Sequence, residues 1–198
     1  EEIAAVGQYH LATAPEAIIS FGQGCEGEPS LAAPTIAEAI KLIRRHTAKG
    51  IININTNAGY TAGIKQIVDA GLDSMRVSII SAIAATYQAY YRGNYGLDNV
   101  YESIAYAKAK DVYVSLNLLL FPGLNDRPEE LAAWLDFVKV TKIDMIQLRN
   151  LNIDPDAFLA VMPPADGGPV GVRRFIDTLR QECPEVQIGS FSRYFRQP

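Results

Sequence analysis

Short apolar runs alternate with longer runs of helical periodicity about six times along the chain. Residues 17–20, 51–55, 75–80, 112–120 and 143–149 read as strands, and 186–188 as a short final one. Between them Ile36, Ile40 and Ile43, then Ile64, Ile67 and Val68, then Val100, Ile104 and Ala107 each mark one helical face. Leu131, Trp134, Leu135 and Val138 fall at i, i+3, i+4 and i+7, and Val172, Phe175, Ile176 and Leu179 repeat the pattern. Thr35-x-x-Glu38 reads as a capping box opening the first internal helix, with Gly50 at its end. The Pro- and Gly-rich stretch 155–171 reads as one long irregular crossing.

Strands alternating with helices, without hairpin signals, imply an α/β fold with a parallel sheet and helical crossovers. The sheet is either open and doubly wound or curved into a TIM-like barrel. Polar residues and glycines gather just after the strands, at 22–30, Thr56-Asn57, Ser81, 122–126 and 150–152. Sites in both architectures form at the strand C-terminal ends. Five contributing strand ends suit a barrel better than a single switch point.

The 198 residues suffice for one domain with a large core. A net charge of −4 argues against nucleic-acid binding through a basic face. No apolar run reaches the roughly 18 residues of a membrane span. Two distant cysteines, Cys25 and Cys183, suggest no disulfide framework, so a cytoplasmic setting is expected. No metal-ligand spacing, nucleophile elbow or Walker loop is present. The string from Gly22 to Gly27 fits Gly-x-Gly-x-x-Gly, but its Glu26 would repel a dinucleotide phosphate.

The glycine-rich acidic turn after the first strand is the leading candidate for chemistry. Glu28, held extended by Pro29, either receives an ammonium group or serves the dipole of the following helix. Thr56 and Asn57 either bind a carboxylate or hydroxyl, or form an ordinary turn pair. Ser78 and Asn117 lie inside apolar strands, where their polar atoms require partners. Arg149 either binds an anion or pairs with an acid. The tyrosines Tyr87, Tyr90, Tyr91 and Tyr95 read as a packing cluster that could cover a cavity.

Gly27-Glu28-Pro29 after a strand resembles the signature of radical S-adenosylmethionine (radical SAM) enzymes. Asn55-Thr56-Asn57-Ala58 resembles their Thr-Asn-Gly, with Ala58 intervening before Gly59. The run 69–79 resembles the segment presenting a ligand-binding Ser, here Ser78, although Ile80 stands where many members have Asp. Tyr91-Arg92-Gly93 resembles a following Arg segment, and 112–126 the long strand and loop after it. The resemblance implies a partial (β/α)6 barrel binding S-adenosylmethionine and a four-iron four-sulfur cluster. It implies Glu28 at the methionine ammonium, Arg92 and Thr56 at its carboxylate, Ser78 and Asn117 at the ribose, and backbone near 148–151 at the adenine. The family's Cys-x3-Cys-x2-Cys is absent from the chain. By family order it would precede Glu1, so the first strand is expected to be missing, residues 3–13 to be the tail of a crossover helix, and this piece alone to be inactive. The implied partners are a substrate (small molecule, peptide or protein) and an electron donor. The strand at 17–20 would then be an open edge, inviting an edge-strand dimer. Two other readings stand beside this one: a non-radical barrel lyase or isomerase using Glu28 as acid or base, and a non-catalytic binding barrel.

Overall fold

The computed structural model describes residues 1–22, 27–165, 167–189 and 194. Six strands form one parallel sheet in the sequential order β1-β2-β3-β4-β5-β6. They are β1 (Ile18–Phe21), β2 (Ile51–Thr56), β3 (Ser74–Ile79), β4 (Tyr113–Leu120), β5 (Met145–Asn150) and β6 (Gln187–Gly189). The helices are α1 (Glu2–Thr13), α2 (Ala33–Arg44), α3 (Thr61–Asp69), α4 (Ala84–Tyr91), α5 (Leu97–Lys108), α6 (Pro128–Thr141), α7 (Pro155–Leu159) and α8 (Val172–Glu182). The sheet is not closed: β1 and β6 are its two edges. Among the described residues no helix is long and apolar enough to cross a membrane.

Side-chain alternation divides the sheet into two unlike faces. Ile52, Ile54, Met75, Val77, Ile79, Val114, Leu116, Leu118 and Ile146 are buried against the helices. The residues between them, including Ser74, Arg76, Ser78, Ser115, Asn117, Gln147 and Arg149, lie on the opposite, concave face. Asn117 is therefore an inward residue, in one row with Ser78 and Gln147.

Two similar clamps fasten the N-terminal ends of the strands. Asp73, just before β3, accepts from the Ile52 amide (2.6 Å) and the Arg44 guanidinium at the end of α2. Asp144, just before β5, accepts from the Val114 amide (2.7 Å) and from Lys108 Nζ at the end of α5 (2.7 Å). In each clamp the Asp amide also bonds back to the same residue's carbonyl, Asp73 to Ile52 and Asp144 to Val114.

Three local expectations change. Helix α2 begins at Ala33, directly after a 3-10 turn over Pro29–Ala32 whose N-cap is Glu28. Thr35 thus lies within the helix, and the Glu28-Pro29 pair, rather than a Thr35/Glu38 box, starts this helical segment. Gly50 does not end α2, which stops at Arg44; Gly50 sits in the turn before β2. The crossing at 155–171 contains α7, capped by Asp154 accepting from the Ala157 amide at 2.8 Å.

One buried acid marks the junction of α4 and α6. Glu130, 1% exposed, accepts from Ser81 Oγ at 2.6 Å, while its second oxygen has no partner among the described residues. Burial raises its pKa, opposed first by the hydrogen bond from Ser81 and less by nearby Thr86 and the Arg127 charge. The folded state therefore holds this proton more tightly than the unfolded chain. The Glu130 contribution to stability should be present at low pH and lost as pH rises through its raised pKa. In urea titrations between pH 4 and 7, Glu130→Gln should gain on the wild type as pH rises. A constant gap across that range would show that Glu130 is not held protonated.

Candidate cofactor site at the strand C-terminal ends

The turn after β1 depends on a close backbone approach. Gly22 has φ +83°, and a Cβ there would lie 2.7 Å from the Asn55 carbonyl oxygen and 2.7 Å from Pro29. Asn55 Nδ2 donates to the Gly22 carbonyl at 2.7 Å, tying the turn to β2. Cys25 and Glu26 lie outside the described residues. Gly27, at φ +87°, returns the chain to Glu28 and Pro29.

Glu28 then lies against the end of β2. Its Oε1 accepts from the Ser30 amide (3.0 Å) and Thr56 Oγ1 (2.5 Å), and its Oε2 from the Asn57 amide (2.7 Å). A carboxylate can accept about four hydrogen bonds. Three are made among the described residues, and one lone pair of Oε2 has no donor among them. Both roles of an acid before a helix are thus combined in one group: it caps the turn, and it keeps capacity for a cation.

The loop after β2 is shaped around this carboxylate. Thr56 Oγ1 accepts from the Ala58 amide (2.9 Å), and Asn57 Oδ1 from the Gly59 amide (2.8 Å). Ala58 takes φ +57°, a conformation that favours glycine, and its carbonyl accepts from Ser103 Oγ at 2.8 Å. The departure from Thr-Asn-Gly at Ala58 is therefore accommodated by a bond from α5.

The tyrosine cluster supplies one wall of the site, although the glycine slot that receives Tyr95 was not read from the sequence. Tyr95 packs its ring against both Gly59 and Gly93; a Cβ on either would come within 2.3 Å or 2.5 Å of it. Burial raises the Tyr95 pKa and the Glu28 charge adds to the rise, while neighbouring Tyr87 and Asn57 act against it. Tyr87, fully buried, is pushed well above the ordinary tyrosine range, chiefly by burial. Tyr87, Tyr90, Tyr91 and Tyr95 do form a stacked cluster, with Tyr90 continuing to Phe158. Phe158, Ile80, Leu124 and Met162 give the β3–β5 side of the mouth a small core of its own, packed against Leu151. Asn125 sets its frame, accepting from the Phe121 amide (2.7 Å) and donating to the Ile80 carbonyl.

Of the remaining sequence candidates, Ser78 and Asn117 sit side by side on the concave face. Arg149 Nη2 donates to Gln147 Oε1 at 3.2 Å. Arg92 is exposed at the C-cap of α4, where its Nε donates to the Ala89 carbonyl of its own helix (3.2 Å). Cys183 is buried at the end of α8, and no cluster of metal-ligating side chains exists among the described residues.

Comparison with solved structures supports the barrel reading. The chain is similar to methylornithine synthase (TM-score 0.63, 14% identity, 94% of this chain and 53% of that one). It is also similar to native anSMEcpe with bound AdoMet (TM-score 0.62, 14% identity, 94% and 53%). A third similar structure is coproporphyrinogen III oxidase from Escherichia coli, a radical SAM enzyme (TM-score 0.62, 16% identity, 90% and 44%). The chain spans about half the length of these structures. No curated protein matches it in sequence. The profile of the Radical SAM superfamily matches residues 6–135. With that match over most of its length, the chain belongs to the radical SAM superfamily, enzymes that use S-adenosylmethionine and a four-iron four-sulfur cluster.

Proposed function

We propose that this chain is the core of a radical SAM enzyme and that its mouth holds S-adenosylmethionine by the methionine end at Glu28. The observation that carries the reading is the lone pair on Glu28 Oε2 that has no donor among the described residues, on a carboxylate fixed by three hydrogen bonds at the end of a parallel strand. A fixed carboxylate suits an ammonium group, because its orientation is set before the ligand arrives.

The other roles follow from where protons are already committed. Thr56 has one hydroxyl proton and gives it to Glu28, so it aims the carboxylate instead of binding the methionine carboxylate. Ser78 and Asn117 offer hydroxyl and amide groups to the ribose. The apolar side of the mouth, near Leu151 and Phe158, suits the flat adenine. Arg92 remains the candidate for the methionine carboxylate, which requires it to leave its bond to Ala89. The bound cofactors would supply reductive cleavage to a 5′-deoxyadenosyl radical that takes hydrogen from a substrate. The protein's part is to orient and to exclude water. The cluster ligands are not among the described residues, and an electron donor is a required partner.

The test is anaerobic reconstitution of the full-length protein with iron and sulfide, followed by reduction with dithionite and chromatography of the nucleoside products. A brown protein that forms 5′-deoxyadenosine is expected. A colourless protein that leaves S-adenosylmethionine intact would refute the proposal.

A further inference from the structure

We infer that Ser103, on α5, is a positioning residue for the ammonium site: its hydroxyl holds the turn that fixes Glu28. Ser103 is fully buried, and its Oγ donates to the Ala58 carbonyl at 2.8 Å. Its other neighbour, Thr61 Oγ1, stands at 3.3 Å and gives its own proton to the Asn99 carbonyl at 3.2 Å. No backbone amide among the described residues donates to the Ala58 carbonyl. The bond from α5 therefore satisfies a buried carbonyl just past the end of β2.

Ala58 depends on that partner more than an ordinary turn residue does. It is buried at φ +57°, a left-handed conformation that its Cβ disfavours. Released, it would move toward the right-handed or extended region and rotate the peptide plane that follows it. That plane carries the carbonyl that Ser103 holds. At its other end is the Gly59 amide, which donates to Asn57 Oδ1 at 2.8 Å. Ser103 and Asn57 thus grip the two ends of one peptide plane.

Two short links join this turn to Glu28. The Ala58 amide donates to Thr56 Oγ1 (2.9 Å), which leaves the Thr56 proton aimed at Glu28 Oε1 (2.5 Å). The Asn57 amide donates to Glu28 Oε2 (2.7 Å). A rotation at Ala58 pulls on both links, and the carboxylate loses the preset orientation that suits an ammonium group. That the ligand is S-adenosylmethionine rests on the proposed function; that Ser103 sets the turn does not.

The experiment compares Ser103→Ala, Ala58→Gly and the double variant of the full-length protein. Glycine takes a positive φ freely, so Ala58→Gly removes the strain that Ser103 opposes. In the ligand-free protein, amide hydrogen exchange at 57–59 should quicken about tenfold in Ser103→Ala and return toward the wild-type rate in the double variant. The Ile52 amide, held by Asp73, should exchange as before in all of them. In equilibrium dialysis of the reconstituted protein, Ser103→Ala should bind S-adenosylmethionine about tenfold more weakly, and Ala58→Gly should restore most of that loss. A hydroxyl that only satisfied the interior would lower stability in Ser103→Ala and in the double variant alike, with no rescue. Unchanged exchange at 57–59, unchanged affinity, or a loss that Ala58→Gly does not restore overturns the inference. If Ser103→Ala does not fold by circular dichroism, Ser103→Cys, a weaker donor, takes its place with the same outcomes. If the wild type binds no S-adenosylmethionine, the cofactor reading fails, and the exchange measurement still decides whether Ser103 holds the turn.

Discussion

Glu28→Gln is expected to weaken S-adenosylmethionine binding to the reconstituted full-length protein by about 10- to 100-fold, the range for losing a hydrogen bond to a charged group. The loss has two sources. An amide cannot balance an ammonium charge. It also supplies one oxygen where the site uses two: if that oxygen stays with Thr56 and Ser30, the amide NH2 confronts the Asn57 N–H, donor against donor. Turning the amide over only moves the conflict to the Ser30 amide. Thr56→Val keeps the carboxylate and removes one of its bonds, so its effect should be smaller. Equilibrium dialysis with labelled cofactor measures both. An unchanged affinity in Glu28→Gln would remove Glu28 from the ammonium site.

Asp73→Ala should cost about 3–5 kcal/mol in urea unfolding, the range for breaking a buried ion pair from one side. Asp73 is 6% exposed and accepts from the Ile52 amide and Arg44 among the described residues. Arg44 in turn donates to the carbonyls of Thr47, Lys49 and Gly50, which shapes the turn between α2 and β2. Removing the carboxylate strands a buried N–H and a partly buried cation in one step. Asp73→Asn keeps an acceptor for Ile52 and should lose less. The exposed pair Lys65–Glu102, 2.7 Å apart, is the contrast: its loss should cost roughly 0.5 kcal/mol. A loss that small for Asp73→Ala would show that the clamp does not hold β2 and β3.

The strands were legible because a two-faced sheet writes its alternation into the chain. Ser74, Arg76 and Ser78 fall between Met75, Val77 and Ile79, and the structure separates them onto opposite faces. Helix α4 was not legible. Its residues, from Ala84 to Tyr91, carry no one-sided apolar stripe, because its tyrosines pack against other rings and not onto the sheet alone. The start of α2 departs from the Thr35/Glu38 cap spacing because Glu28-Pro29 opens a 3-10 turn that runs directly into the helix at Ala33. Glu28, Thr56 and Asn57 were found separately, each after a strand. That they share one set of hydrogen bonds depends on the parallel pairing of β1 and β2, which no local pattern records. Tyr95 was read as part of a tyrosine cluster, but its slot was not, because that slot is formed by Gly59 and Gly93, glycines from different loops.

The two aspartate clamps sit at the opposite ends of the strands from Glu28 and the mouth loops. Substitutions at separated, independent sites tend to add without coupling. The loops at the mouth can therefore be exchanged for others of different length and charge while the registers of β2 with β3 and β4 with β5 remain anchored from below. A chain built in this way can change what it acts on without having to refound what holds it up.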